Sequence, residues 1–190
     1  HTINWICFDF DILKSKIDAD DEGLSEKHLI DVVKSFVGYL ISKQISHLVE
    51  FSGNRGIHVW INFQSPIFPH TAYELVKKLI DGAELSINRS LIGLDLFPSS
   101  ASHKSAFGKA VKIPLSKHAK SGCYSILVEN VPSDFASVRR TQITEEDLLV
   151  QSKLLSAHQT ESIHLLEQKL DCVLDYQEMD ELSTEHVRII

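Results

Sequence analysis

The stretch "FSGNRGIHVWINF", residues 51–63, constrains the fold more than any other. Two apolar runs, His47 to Phe51 and Ile57 to Phe63, flank a short glycine-rich turn, the pattern of a β-hairpin. A hairpin pairs antiparallel and so nucleates a mixed or antiparallel sheet. A plain turn, however, needs no arginine, and a plain strand needs no histidine. Gly53 and Gly56 let the backbone turn tightly and approach a ligand closely. Ser52 offers a donor, and Arg55 offers a planar fork matched to phosphate. His58 lies two residues past the last glycine, with Trp60 on the same strand face. A G-x-H alone fits a hairpin with a partly buried histidine. Ser, Gly, Arg, Gly and His within seven residues point instead to a site for a triphosphate.

The rest of the chain surrounds this hairpin with alternating elements. Ile3 to Ile12 reads as a buried strand. Leu24 to Gln44 reads as a helix that Ser25 can cap, with Leu29, Val32, Val33, Phe36, Val37 and Leu40 at helical spacing. Pro66 and Pro69 break the chain before a second amphipathic helix, Thr71 to Ile87. Leu91 to Phe97, Ala110 to Ile113 and Ser125 to Val128 read as short strands. Thr144 to Leu174 reads as mostly helical, with Thr144 and Asp147 as a capping pair. Its leucines, among them Leu148, Leu149, Leu155 and Leu166, form a stripe that must pack on something. The class is α+β, a mixed or antiparallel sheet flanked by helices.

The chain has 190 residues, enough for one large domain or a domain with a small appendage. Cys7, Cys123 and Cys172 are scattered, with no C-x-x-C pair, which disfavours a cysteine zinc site and suits a reducing, intracellular compartment. No apolar run reaches transmembrane length. The net charge of −7 argues against nonspecific coating of nucleic acid. The charge is uneven, though. Residues 96–121 hold Lys104, Lys109, Lys112, Lys117 and Lys120 and no acid, a local basic surface suited to a phosphate chain.

Asp9 and Asp11 are separated by one residue on the first strand, so both carboxylates stand on one face while Phe8 and Phe10 face the core. Adjacent like charges call for a cation, and a hard divalent ion with oxygen ligands supplies it. Asp95, an acid in the short apolar strand "LIGLDLFP", is a third candidate ligand. The D-x-D alone also fits a haloacid-dehalogenase-like phosphatase with Asp9 as nucleophile and Asp11 as acid, or simply a strand end at solvent.

Taken together and in this order, "FDFD", "SGNRGIHVW" and "GLDLFP" resemble the three motifs of the archaeo-eukaryotic primase superfamily. The region "LDLFPSS…GKAVKIPLSKHAKSG" further resembles the primase-polymerases of TOTE conflict systems and CRISPR loci, although Lys109 stands where those relatives carry asparagine. The resemblance implies an RRM-like catalytic core over residues 1–141, with residues 142–190 as a helical acidic extension leading into further helicase or defence modules of a longer protein. It implies Asp9, Asp11 and Asp95 as ligands of two Mg2+ or Mn2+ ions. Ser52, Arg55, His58, Lys112 and His118 would bind the triphosphate. Lys104, Lys109, Lys117 and Lys120 would hold single-stranded DNA or RNA as template or primer. The activity implied is template-dependent nucleotidyl transfer; a domain that binds nucleic acid without catalysis is the alternative.

Overall fold

The structure, a computed structural model, describes residues 2–14, 22–101 and 110–174. Five strands form one antiparallel sheet: β1 (Ile3–Ile12), β2 (Leu48–Phe51), β3 (Gly56–Ile67), β4 (Ile92–Phe97) and β5 (Ile126–Val128), in the order β4-β1-β3-β2-β5. Helices α1 (Glu22–Ser42) and α2 (Pro69–Ala83) follow the first strand and the hairpin, and α3 (Glu145–Ala157) and α4 (Ile163–Leu170) close the described chain.

Alternation along the strands divides the residues between two faces. Ile6, Phe8, Phe10 and Ile12 of β1 join Ile57, Val59 and Ile61 of β3 in a fully buried core under α1 and α2. Phe36 of α1 packs its ring 4.6 Å from Phe8 and 5.8 Å from Phe10, which fixes the helix on that face. The odd-numbered residues of β1, Cys7, Asp9 and Asp11, stand on the opposite face. No helix among the described residues is long and apolar enough to cross a membrane.

Several local expectations change. Helix α1 starts at Glu22, so Ser25 lies inside its first turn, fully buried, and does not cap it. Pro66 does not end β3, which continues to Ile67 opposite Ile3; Pro69 opens α2 at the first helical position, where its missing N–H costs nothing. Residues 110–113 form no strand. They run as a wall over the open face, and the outer edge of β5 is taken by the Gln151 side chain. That amide accepts from Leu127 N at 2.6 Å and donates to Leu127 O at 3.0 Å.

The C-terminal run is two helices rather than one. The Thr144–Asp147 capping box forms as the spacing predicts. Between the helices Glu161 pairs with β3, its N–H donating to Asn62 O and its carbonyl accepting from Gln64 N. The Glu161 side chain is buried and bound by Lys169 at 2.8 Å. Helix α3 buries only Gln151, while Leu148, Leu149 and Leu155 stay about half exposed; a polar clamp, not a leucine stripe, docks it. Ile163, Leu166 and Leu174 enter the same hydrophobic core as the sheet.

Candidate active site

The open face of the sheet carries a straight row of side chains across all five strands. Asp95 of β4 is in register with Asp9 of β1, Asp9 with His58 of β3, His58 with Glu50 of β2, and Glu50 with Leu127 of β5. Antiparallel pairing places such neighbours about 5 Å apart, close enough for direct interaction. His58 Nε2 lies 3.5 Å from Asp9 Oδ1, and its Nδ1 lies 2.9 Å from Glu50 Oε2. One row further toward the hairpin turn, Asp11 faces Gly56, and Arg55 reaches its carboxylate at 3.3 Å. A Cβ on Gly56 would overlap that carboxylate and approach Phe10 O to 2.6 Å, so the close packing of Asp11 needs glycine there.

Glu50 is the residue that sequence reasoning missed. It is fully buried, and its Oε2 accepts from both His58 Nδ1 and Trp60 Nε1 at 2.9 Å, while Oε1 faces Leu115 N at 3.3 Å. Its signal was available: an acid in an apolar strand, directly before the glycine turn. Burial pushes the Glu50 carboxyl up, but the hydrogen bond and charge of His58, with further hydrogen bonds from Ser125 and Trp60, outweigh it and hold its pKa low. Burial also opposes the imidazolium of His58, yet the Glu50 hydrogen bond and the negative fields of Asp9, Glu50 and Asp11 raise its pKa. The ring is fixed with Nδ1 on Glu50 and Nε2 aimed at the acids, a setting that favours its protonated form.

The hairpin turn and a second loop form the cleft walls. Ser52 closes the turn twice, its N donating to Gly56 O and its Oγ accepting from Gly56 N. Gly53 adopts φ +84°, and a Cβ there would meet Cys123 O at 2.9 Å, so the turn lies against the later loop. With Asp9 and Asp11 as floor, Ser52, Arg55 and His58 face Lys112, His118 and Lys120 across a cleft of about 260 Å3. The Nε of Arg55 is buried and makes no hydrogen bond among the described residues, which leaves the guanidinium capacity for another acceptor. The Lys112 ammonium spends its donors on Ser116 O, Ser116 Oγ and Ser125 Oγ, and burial lowers its pKa despite the charge of Glu50. His118 Nδ1 accepts from two backbone N–H groups, and burial with the Lys112 charge lowers its pKa, so the neutral ring carries its hydrogen on Nε2. Lys117 lies over the Tyr124 ring, outside the cleft lining. Lys104 and Lys109 lie outside the described residues.

Asp95 joins Asp9, Asp11, Lys14 and Arg55 around an adjoining cavity on the β4 side. Among the described residues, no group of three or more His, Cys, Asp or Glu side chains is placed so as to hold a metal ion by itself. The donor set is oxygen only, carried on rigid strands and open to a basic cleft. That composition fits a Mg2+-type ion held by few carboxylates and completed by substrate phosphates. In sequence comparison, the TOTE conflict system, Archaeo-Eukaryotic Primase domain matches residues 1–147. No curated protein matches the chain.

Proposed function

The chain belongs to the archaeo-eukaryotic primase domain family of TOTE conflict systems, and from that premise we propose that it is a template-dependent nucleotidyltransferase joining nucleoside triphosphates to a 3′-hydroxyl. The observation that carries this reading is the acid–acid–histidine–acid row on the open sheet face, set against a cleft walled by Arg55, Lys112, His118 and Lys120. A phosphatase reading leaves Asp95 and the His58 hairpin without a role.

In this reading Asp9, Asp11 and Asp95 would hold two Mg2+ or Mn2+ ions, which would supply activation of the attacking hydroxyl and charge compensation for the leaving pyrophosphate. Arg55, held at Asp11 at 3.3 Å with its Nε unbonded among the described residues, would offer its planar fork to the phosphates. His58, fixed through Nδ1 on Glu50, donates from Nε2 to a phosphate oxygen in its protonated form. His118 donates from its own Nε2 on the facing wall, and the Ser52 hydroxyl donates at the turn. Lys112, its donors committed within its loop, contributes charge rather than a free hydrogen bond. Lys120 in the cleft lining, with Lys117 and with Lys104 and Lys109 outside the described residues, is assigned to the template or primer backbone. Catalysis is assigned to residues 1–141, and α3 and α4 brace them, with Ile163, Leu166 and Leu174 in the shared core.

The test is incubation with Mn2+ or Mg2+, nucleotides and single-stranded template, with and without primer. Incorporation that is lost in the Asp9→Ala, Asp11→Ala double variant, with its melting temperature retained, supports the reading. A double variant that incorporates at the parental rate overturns the metal site. Primer-template binding without any incorporation in the parent would leave a binding domain only.

A further inference from the structure

Lys112 faces Arg55 and His58 across the cleft, yet its ammonium gives all its hydrogens to the protein. They go to Ser116 O at 3.0 Å, Ser116 Oγ at 3.2 Å and Ser125 Oγ at 2.6 Å, the Ser125 bond being the shortest. A lysine is a point charge on a flexible stem, so it addresses a ligand from one place only where something holds its head. Ser125 stands one residue before β5, fully buried and outside the cleft lining.

Where the Ser125 hydroxyl sends its own hydrogen follows from counting lone pairs. A carbonyl oxygen has two, and Ser116 O already accepts from Ser125 N and from Lys112 Nζ, each at 3.0 Å. At 3.3 Å that oxygen is a poor third choice for the Ser125 hydroxyl. The buried Glu50 carboxylate is the better acceptor because it is charged, and a hydrogen bond from Ser125 is among the groups that hold its pKa low. Ser125 therefore accepts from Lys112 and donates to Glu50, which in turn holds His58 Nδ1 at 2.9 Å. The lysine of one wall and the histidine of the other share one buried anion. The loop meets that anion at a second point: Leu115, at φ +60° in a left-handed conformation unfavourable for leucine, turns its N–H toward Glu50 Oε1 at 3.3 Å.

We propose that Ser125 is a positioning residue for phosphate binding: by tying the Lys112 ammonium to the Glu50 carboxylate, its hydroxyl fixes the spacing between the lysine charge on one wall and the His58 ring on the other. The proposal rests on the triphosphate reading of the cleft and adds to it the group that sets the cleft's spacing. Ser125 touches no ligand and acts through Lys112. Without its hydroxyl, Lys112 keeps only Ser116 among the described residues, a partner on the lysine's own loop. The charge then moves with that loop and toward solvent, where it is screened.

The whole chain is titrated calorimetrically in Mg2+ with ATP and, separately, with inorganic triphosphate. Ser125→Ala is expected to weaken both by about 3–10-fold and to the same extent, since Lys112 addresses phosphates and not the nucleoside. Ser125→Cys fills nearly the same space with a weak hydrogen-bonding group. It is expected to lose as much affinity while melting within about 5 °C of the parent, which separates the hydroxyl from packing. Lys112→Met should weaken both ligands at least as much as Ser125→Ala, and adding Ser125→Ala to it should cost no more than about twofold further. A hydroxyl that served packing alone would weaken the double variant again, because its loss would not act through the lysine. Losses that add in the double variant, or serine variants that bind both ligands like the parent, overturn the positioning role while the phosphate cleft stands. A Lys112→Met chain that binds like the parent also overturns it, since Ser125 would have no charge to place. A parent that binds neither ligand overturns the triphosphate reading and the proposal with it.

Discussion

Replacing Glu50 by glutamine changes one atom of a buried hub and exposes how the site is held. The carboxylate accepts two N–H groups on Oε2 and one on Oε1. A glutamine accepts through one oxygen only. Its better orientation keeps that oxygen on His58 and Trp60 and turns the NH2 toward Leu115 N, donor against donor. The His58 bond falls from charge-assisted to neutral, a loss of about 1–1.5 kcal/mol, and the stranded Leu115 N–H costs about 1–3 kcal/mol. The sum, about 2–4 kcal/mol, lowers the melting temperature by roughly 5–15 °C for a chain of this length. The effect depends on pH with a defined sign. Folding raises the His58 pKa, so its contribution is complete below the ordinary imidazole value of about 6.5 and drains away as pH rises through the raised value. Folding lowers the Glu50 pKa, so its contribution is complete above the ordinary carboxyl value of about 4.3 and is lost as pH falls through the lowered one. The gap between parent and Glu50→Gln is therefore widest at roughly pH 4.5–6.5 and narrows on the alkaline side. Nucleotide affinity should fall about tenfold, because the ring loses the carboxylate that favours its charge and holds its orientation. Thermal melts across pH with calorimetric nucleotide binding read both effects. A variant that melts with the parent at pH 5.5 and binds nucleotide equally well would refute the hub.

His58→Ala should weaken nucleotide binding far more than template binding; a variant poor in template and normal in nucleotide reverses the assignment. Gly56→Ala drives a Cβ into the Asp11 carboxylate and toward Phe10 O; denaturation should show a loss of about 1–3 kcal/mol together with reduced incorporation, and an unperturbed variant would mean the packing there is looser than described. Truncation after Val138 removes Ile163, Leu166 and Leu174 from the core. At about 1.5–3 kcal/mol each, their loss is comparable to the whole stability of a domain, so the truncated chain should fail to melt cooperatively. A soluble, cooperative fragment would make the C-terminal helices an appendage.

The hairpin, the D-x-D strand and the sheet class were legible because a strand's period of two is a strong signal when one face is charged and the other aromatic. From spacing alone Asp9 and Asp11 could be placed on one face of their strand and His58 and Trp60 on one face of theirs; that the two faces coincide comes from the register. That Asp95 stands directly beside Asp9 could not, since register between β1 and β4 is set by packing across a long connection. Glu50 was passed over because one acid in a strand carries no motif; only its three N–H partners, two from β3 and one from a distant loop, disclose its task. The leucines of α3 misled for a related reason. Helical spacing says which residues share a face, but not whether the chain covers that face, and here one glutamine does the docking. Residues 110–113 have strand composition but pair with no strand, and the outer edge of β5 is occupied by the Gln151 amide instead.

That occupied edge has a consequence for how the molecules behave in a crowd. A terminal strand with bare N–H and C=O groups is a template for the strand of a neighbour, and sheets that grow in this way become fibrils. β5 is three residues long, and the outward N–H and C=O of Leu127 are both met by the Gln151 amide, a side chain that imitates a peptide group. The sheet is thus terminated by a single residue that offers nothing further along the ladder. A protein that works with its other sheet face uncovered gains from this plug: chains meeting edge to edge on this side find no rung to extend, and the open surface stays available to its ligand instead of to another copy.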